Sequence, residues 1–328
     1  MAQARLNGLD GLRGIAALSI VLIHVFADRF SNAYLAVDFF FMLSGYIMAR
    51  TFEGQLAAGR LTPTTFIASR IRRLYPVVFI GCLIGMPWLI ATSGDRAWII
   101  AIACLTLLPI GRSEEMYRLN PPAWSIAYEL LANAVHGFVL ARLSSRAVIF
   151  VVPILMVALM IATAGHGLGF VPTPGNRLAT GLRTIVPYAI GVLLYRSWGD
   201  CPPFRIGPVL TWGMMPAVFL WGTFGPMWPG ASDYVFVIVC CPILIAGGLT
   251  NGTANRVAAF AGTLSFPLYA THGPIVLAAK YMGFGWGTQL GAALCTGILV
   301  LLAQTMPGVA NRWVGDRLAR APRAWASD

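Results

Sequence analysis

Residues 6–27, LNGLDGLRGIAALSIVLIHVFA, are apolar enough for a membrane-spanning helix, yet they carry Arg13 near one end and His24 near the other. Eleven residues separate the two. At about 100° per residue they fall within about 20° of one helix face. The rise separates them by about 16 Å, roughly half a bilayer core. Between them Ile15, Leu18, Ile20, Val21, Leu22 and Ile23 offer no polar group, and Ser19 only a small one. Ionisable side chains in a span are costly and face a protein interior or a wet cavity. This helix therefore reads as one wall of a site that reaches from one membrane face toward the other.

Composition extends that reading to the whole chain. Of 328 residues, 58% are hydrophobic and 11% charged, and the mean hydropathy is +0.73. A soluble domain carries about 25% charged residues, so the expected fold is an all-α, polytopic helix bundle. The net charge of +11 comes from arginines and the single Lys280. In a membrane protein such an excess is first a topology signal. No basic block interleaves with aromatics, so nucleic acid is not an expected partner. Cys82, Cys104, Cys201, Cys240, Cys241 and Cys295 show no metal spacing, and no metal is expected. Residues 14–26 also resemble a signal-peptide core before Ser31-Asn32-Ala33. Asp10 in the leader, and Asp28 and Arg29 ahead of the cut, argue against cleavage.

Windows long enough to span recur at 8–27, 34–50, 74–92, 124–141, 147–165, 183–198, 208–224, 234–249, 258–279 and 287–306. A shorter run, 98–110, decides the topology of everything after it. If it does not cross and the N-terminus is cytoplasmic, sixteen basic residues lie inside and seven outside. If it crosses, the division is twelve against eleven. The positive-inside bias prefers the first arrangement. The expectation is ten crossings, both termini cytoplasmic, and a re-entrant or surface segment at 98–110. Residues 51–73 then form the main cytoplasmic loop, 1–306 the membrane domain, and 307–328 a basic tail along the inner surface.

In that topology, polar stripes meet. His24 lies near the outer end of the first span and Asp38 near the outer start of the second. Ser125, Glu129, Asn133 and His136 recur at helical spacing on one face, and so do Ser265, Tyr269 and His272. Two histidines and two carboxylates thus gather in the outer half of the membrane, above a basic column. Single polar residues such as His136, Asn133 and Ser265 commonly serve as interhelical glue, and the run at 70–73 as a headgroup contact. An arginine inside a span is harder to explain as packing. Gly14, Ala16, Ala17 and Gly45 read as packing notches, and His166 in a Gly-rich loop as a residue without a role.

Five strings in order resemble the membrane acyltransferase-3 family, bacterial inner-membrane proteins that O-acylate extracytoplasmic sugars. They are Arg13 with His24, Phe40-Phe41-Met42-Leu43-Ser44-Gly45 with Asp38 before it, and Arg70 with Arg73. Pro122-Ala123-Trp124-Ser125-Ile126-Ala127-Tyr128-Glu129 and Ser265-Phe266-Pro267-Leu268-Tyr269-Ala270-Thr271-His272 complete the set. The stand-alone exopolysaccharide acetyltransferases are the nearest look-alikes. Other members carry an outer hydrolase-like domain, here expected on a separate protein.

The resemblance implies transfer of an acyl group, expected to be acetyl, from cytoplasmic acyl-CoA to a hydroxyl of an extracytoplasmic polysaccharide or lipid-linked sugar. The donor is a substrate, and no resident cofactor is expected. Arg70 and Arg73 suit the phosphates of coenzyme A, and its thin arm would pass Arg13. His24 is the expected general base, oriented by Asp38 or Glu129; an acyl-imidazole on His24 is the variant route. Trp124, Ser125, Tyr269 and His272 would hold the acceptor or the oxyanion. A proton-coupled or anion transporter using Arg13, His24 and Glu129 as a relay is the alternative. The absence of an internal repeat weighs against it.

Overall fold

The computed structural model describes residues 6–107, 117–170, 172–221, 230–252 and 256–305. The expected basic tail, 307–328, lies outside them. The described residues fold into helices with no strand among them. The long helices are α1 (Asn7–Val25), α2 (Ala36–Met48, continued by a π turn at Ala49–Glu53) and α3 (Pro63–Ser93). There follow α4 (Ala97–Leu105), α5 (Ala123–Phe138), α6 (Ser145–Ala162), α7 (Arg177–Trp198) and α8 (Pro208–Trp221). The last three are α9 (Ala231–Thr250), α10 (Arg256–Tyr281) and α11 (Trp286–Thr305).

Seven helical segments among the described residues are long and apolar enough to cross a membrane. The other predicted windows also hold helices, α5, α8 and α10. Side chains such as Phe150, Ile154 and Ile161 on α6 point outward, as a lipid-facing surface requires. Of the run at 98–110, α4 covers the residues up to Leu105, and its nine residues rise about 14 Å, less than half a hydrocarbon core. Residues 108–110 lie outside the described ones.

One expectation is corrected. Residues 51–73 do not form a long loop. The π turn and a short helix (Gly54–Ala57) continue α2, and α3 begins at Pro63. Thr62 caps it, its hydroxyl oxygen accepting from the Thr65 N–H at 3.2 Å. Proline at the first helical position fits because its missing N–H has no partner there in any helix. Arg70 therefore rides on a helix wall inside the bundle, 5% exposed, while Arg73, one turn on, is exposed at the mouth of the same wall.

The central helices approach through small residues. A Cβ on Gly45 of α2 would run into the Tyr188 carbonyl of α7, and one on Gly191 of α7 into the Met42 carbonyl of α2. Gly14 of α1 sits in the same way against Ala261 of α10, and Ala16 and Ala17 are fully buried. Small-residue faces let membrane helices pack where no hydrophobic effect drives them together. Gly191→Val is expected to destabilise the fold by about 1–3 kcal/mol through overpacking. A lowered midpoint in detergent-solubilised thermal unfolding checks this; an unchanged midpoint would mean α2 and α7 separate at no cost. Where these helices end, Arg50 donates to Asp200 at 2.8 Å from both Nε and Nη2. Those bonds hold the Asp200 carboxyl below its ordinary range.

Candidate active site

Two cavities enter the bundle from opposite ends and share Val37 and Tyr269 as lining residues. One is the basic cavity, with Arg13, Arg70 and Arg73 in its wall alongside Ser44, Ser125 and Glu129. The other holds His24 with Tyr34, Trp124, Phe170 and Arg183. The same-face placement of Arg13 and His24 thus takes a definite form: one helix puts a cation into the first cavity and an imidazole into the second.

His24 is held by its own helix. Its Nδ1–H donates to the Ile20 carbonyl at 2.7 Å, because a carbonyl oxygen can only accept. In the neutral ring this leaves the lone pair on Nε2. The His272 ring packs edge-on against His24, with centroids 5.0 Å apart. The Nδ1 of His272 donates to Tyr269 and Leu268 carbonyls at 2.8 and 3.2 Å. Its buried Nε2 has no partner among the described residues. The two histidines expected at one depth are therefore neighbours with the same tautomer.

The carboxylates part company. Glu129 accepts from Ser44 Oγ at 2.8 Å and lies 3.6 Å from Arg70 Nη2, which places it in the basic cavity. The Pro63 start of α3 explains this, since it lifts Arg70 into the bundle. Asp38 is fully buried and takes both Nε and Nη2 of Arg183, at 3.1 and 2.8 Å. No contact joins either carboxylate to His24 among the described residues; the orienting group is the Ile20 carbonyl.

Ser125 and Tyr269 meet at 2.6 Å where the cavities touch. The Ser125 hydroxyl donates to the Pro122 carbonyl at 2.9 Å, so the Tyr269 hydroxyl donates to Ser125. Phe40 packs edge-on against Tyr269 with centroids 5.5 Å apart. Trp124 lines the His24 cavity. Ser265 donates to the Gly262 carbonyl at 2.7 Å within α10 and lines the basic cavity. Asn133 and His136 meet Tyr188 at 3.0 and 3.1 Å, a buried contact between α5 and α7.

Arg183 is the residue sequence reasoning missed. It counts only as an outer-face charge by topology, yet it is 1% exposed. Its guanidinium carbon lies 5.4–5.8 Å from the ring centroids of Phe170, Trp124 and Tyr34. Its position within the predicted 183–198 span, where ionised groups are rare, was the available signal.

The acyltransferase-3 family, described as an acyltransferase domain, matches residues 6–306, and the chain belongs to that family. It is a membrane acyltransferase. Protein 2 in the picA locus of Rhizobium radiobacter is 33% identical over 181 residues, covering 48% of this chain and 93% of that protein. A protein named putative membrane-bound transacylase BcsY, from Komagataeibacter xylinus, is 24% identical over 91% of this chain and 79% of its own length. O-acetyltransferase OatA of Staphylococcus aureus (strain NCTC 8325 / PS 47) is 28% identical over 61% of this chain, which spans 36% of OatA. No solved structure matches the chain. No group of three or more metal-ligating side chains occurs among the described residues.

Proposed function

We propose that this protein is an O-acyltransferase that moves an acyl group, acetyl in the first instance, from cytoplasmic acyl-CoA to a sugar hydroxyl outside the inner membrane of a bacterium. The observation that carries the reading is the pair of opposed cavities meeting at Val37 and Tyr269, one basic and one holding His24. A reaction whose donor and acceptor lie on opposite sides needs that arrangement. The excess of basic residues expected on one face supports a cytoplasmic Arg13 end, with both termini on that side. The names of OatA and BcsY, an O-acetyltransferase and a transacylase, agree with the chemistry.

Arg73 and Arg70 receive the donor's phosphates through charge-assisted hydrogen bonds, with Glu129 and Ser44 fixing Arg70. The pantetheine arm passes Arg13, and the thioester reaches the junction beside Tyr269. A sugar hydroxyl is a weak nucleophile at neutral pH and needs a base within hydrogen-bond reach. His24 Nε2 takes its proton as the oxygen attacks the thioester carbonyl carbon. The carbon–sulfur bond then breaks, and the departing coenzyme A thiolate takes the proton from His24. Tyr269, held by Ser125, flanks the reacting atoms, His272 steadies the His24 ring from behind, and Trp124 shapes the acceptor side.

The test is a sided assay. Protein reconstituted in liposomes receives radiolabelled acetyl-CoA on the Arg13 side and surface glycan from the producing cells on the other. Label is expected on the glycan. Label that stays with the donor, or transfer only when both substrates share one side, would overturn the reading. Arg73→Ala is expected to raise the KM for acetyl-CoA about ten-fold, with kcat little changed, for one lost phosphate contact.

A further inference from the structure

Beyond the His24 cavity the bundle opens into a further cavity, whose lining shares Ser31, Tyr34, Gly169 and Phe170 with it. The far side of this space is walled by Asn32, His166, Asn176, Ser232 and Asp233. Its frame is fixed. The Asp233 carboxylate accepts from the Tyr34 hydroxyl at 2.9 Å and from the Leu168 N–H at 2.6 Å. It thereby ties the loop after α6 to the start of α9 and to the entrance of α2. Gly167, at φ +80, has no room for a Cβ beside the Asp233 carboxylate, and Gly230, at φ +85, none beside the Gly165 carbonyl. A wall clamped in this way does not have to be ordered by its ligand.

The chemistry of the lining selects the ligand. Hydroxyl, amide, imidazole and one carboxylate face the space, with Tyr34 and Phe170 as apolar surfaces. No lysine or arginine lines it among the described residues. Arg183, the cation that acts on Asp233 from beside this space, is committed to the Asp38 carboxylate, so no uncommitted cation in the wall offsets Asp233 against a phosphate or uronate. A neutral polyol ring, whose hydroxyls both donate and accept and whose C–H faces pack on aromatics, matches it.

We infer that this cavity is a second sugar subsite, which binds the neutral residue adjoining the one acylated, so the acceptor is a glycan of at least two units. The inference rests on reading the His24 cavity as the acceptor site. It gives His166, a loop residue with no evident role in the sequence, a place in the wall of that subsite.

Surface glycan from the producing cells, cleaved by mild acid and sorted by size, is the probe. Binding to protein in nanodiscs, measured by native mass spectrometry without any donor, is the readout. Fragments of two or more neutral units are expected to bind at least ten-fold more tightly than single sugars. Ala162→Trp fills the cavity from its rim, where Ala162 is exposed. That variant is expected to remove the gain while single-sugar binding stays unchanged, and His166→Ala to reduce it. Equal affinity for single sugars and longer fragments, no binding of either, or an Ala162→Trp protein that keeps the gain would each overturn the inference. His24→Ala separates this from the catalytic reading, because it is expected to keep the length preference whether or not transfer persists.

Discussion

His24→Ala is expected to lower acyl transfer by about 10²–10⁴-fold, the contribution of a well-placed general base, while the protein still folds. Folding should survive because the only hydrogen bond His24 makes among the described residues is to Ile20 of its own helix, and its ring is half-buried. Removing it leaves no long-range partner stranded. The loss should fall on kcat, since in the proposed reaction the arginines at the other end of the passage hold acyl-CoA and the outer cavities hold the glycan. His272→Ala is the comparison that makes the result specific. His272 is fully enclosed, is not among the residues lining either cavity, and touches the His24 ring edge-on, so in the proposed reaction its part is to steady that ring. Its loss should be smaller in kcat and larger in thermal stability. Initial rates with purified protein, alongside unfolding midpoints, check both. A His24→Ala protein with full kcat at normal expression would remove His24 from the mechanism.

The residues that were legible in the sequence are those whose constraint is local. Arg13 and His24 share a face because helical geometry acts over eleven residues. The Ser125, Glu129, Asn133 and His136 stripe holds for the same reason, and each of its members bonds inward. Depth was less legible than facing. Glu129 was expected beside His24, yet it sits with Arg70 in the basic cavity, because α3 starts eleven residues before the apolar window at 74–92 does. Thr62-Pro63 was the sign of that start, a capping hydroxyl followed by proline. The partners of Asp38 could not be read at all. Arg183 is 145 residues away, and nothing in spacing or periodicity joins them.

That buried pair carries the other large effect. Arg183→Met is expected to cost about 3–5 kcal/mol of stability, because it leaves Asp38 without its counter-charge in the bundle interior. Asp38→Asn should cost less. The guanidinium it leaves behind keeps the Tyr34 carbonyl, at 3.2 Å, as an acceptor and lies over three aromatic rings. The double variant should be more stable than Arg183→Met alone, since it replaces an uncompensated charge by a neutral pair. Unfolding midpoints of the three proteins decide the matter, and equal losses would mean that the ion pair is energetically idle. Function should follow the same order through a different quantity. Tyr34, Trp124 and Phe170, the rings that surround Arg183, also line the acceptor cavity. Loosening them should raise the KM for glycan and leave the KM for acetyl-CoA unchanged, because the donor's arginines lie in the other cavity. A pair buried for stability alone would move the midpoint and neither KM. The split between the two substrates is therefore what shows whether Asp38 and Arg183 shape the acceptor site as well as hold α2 to α7.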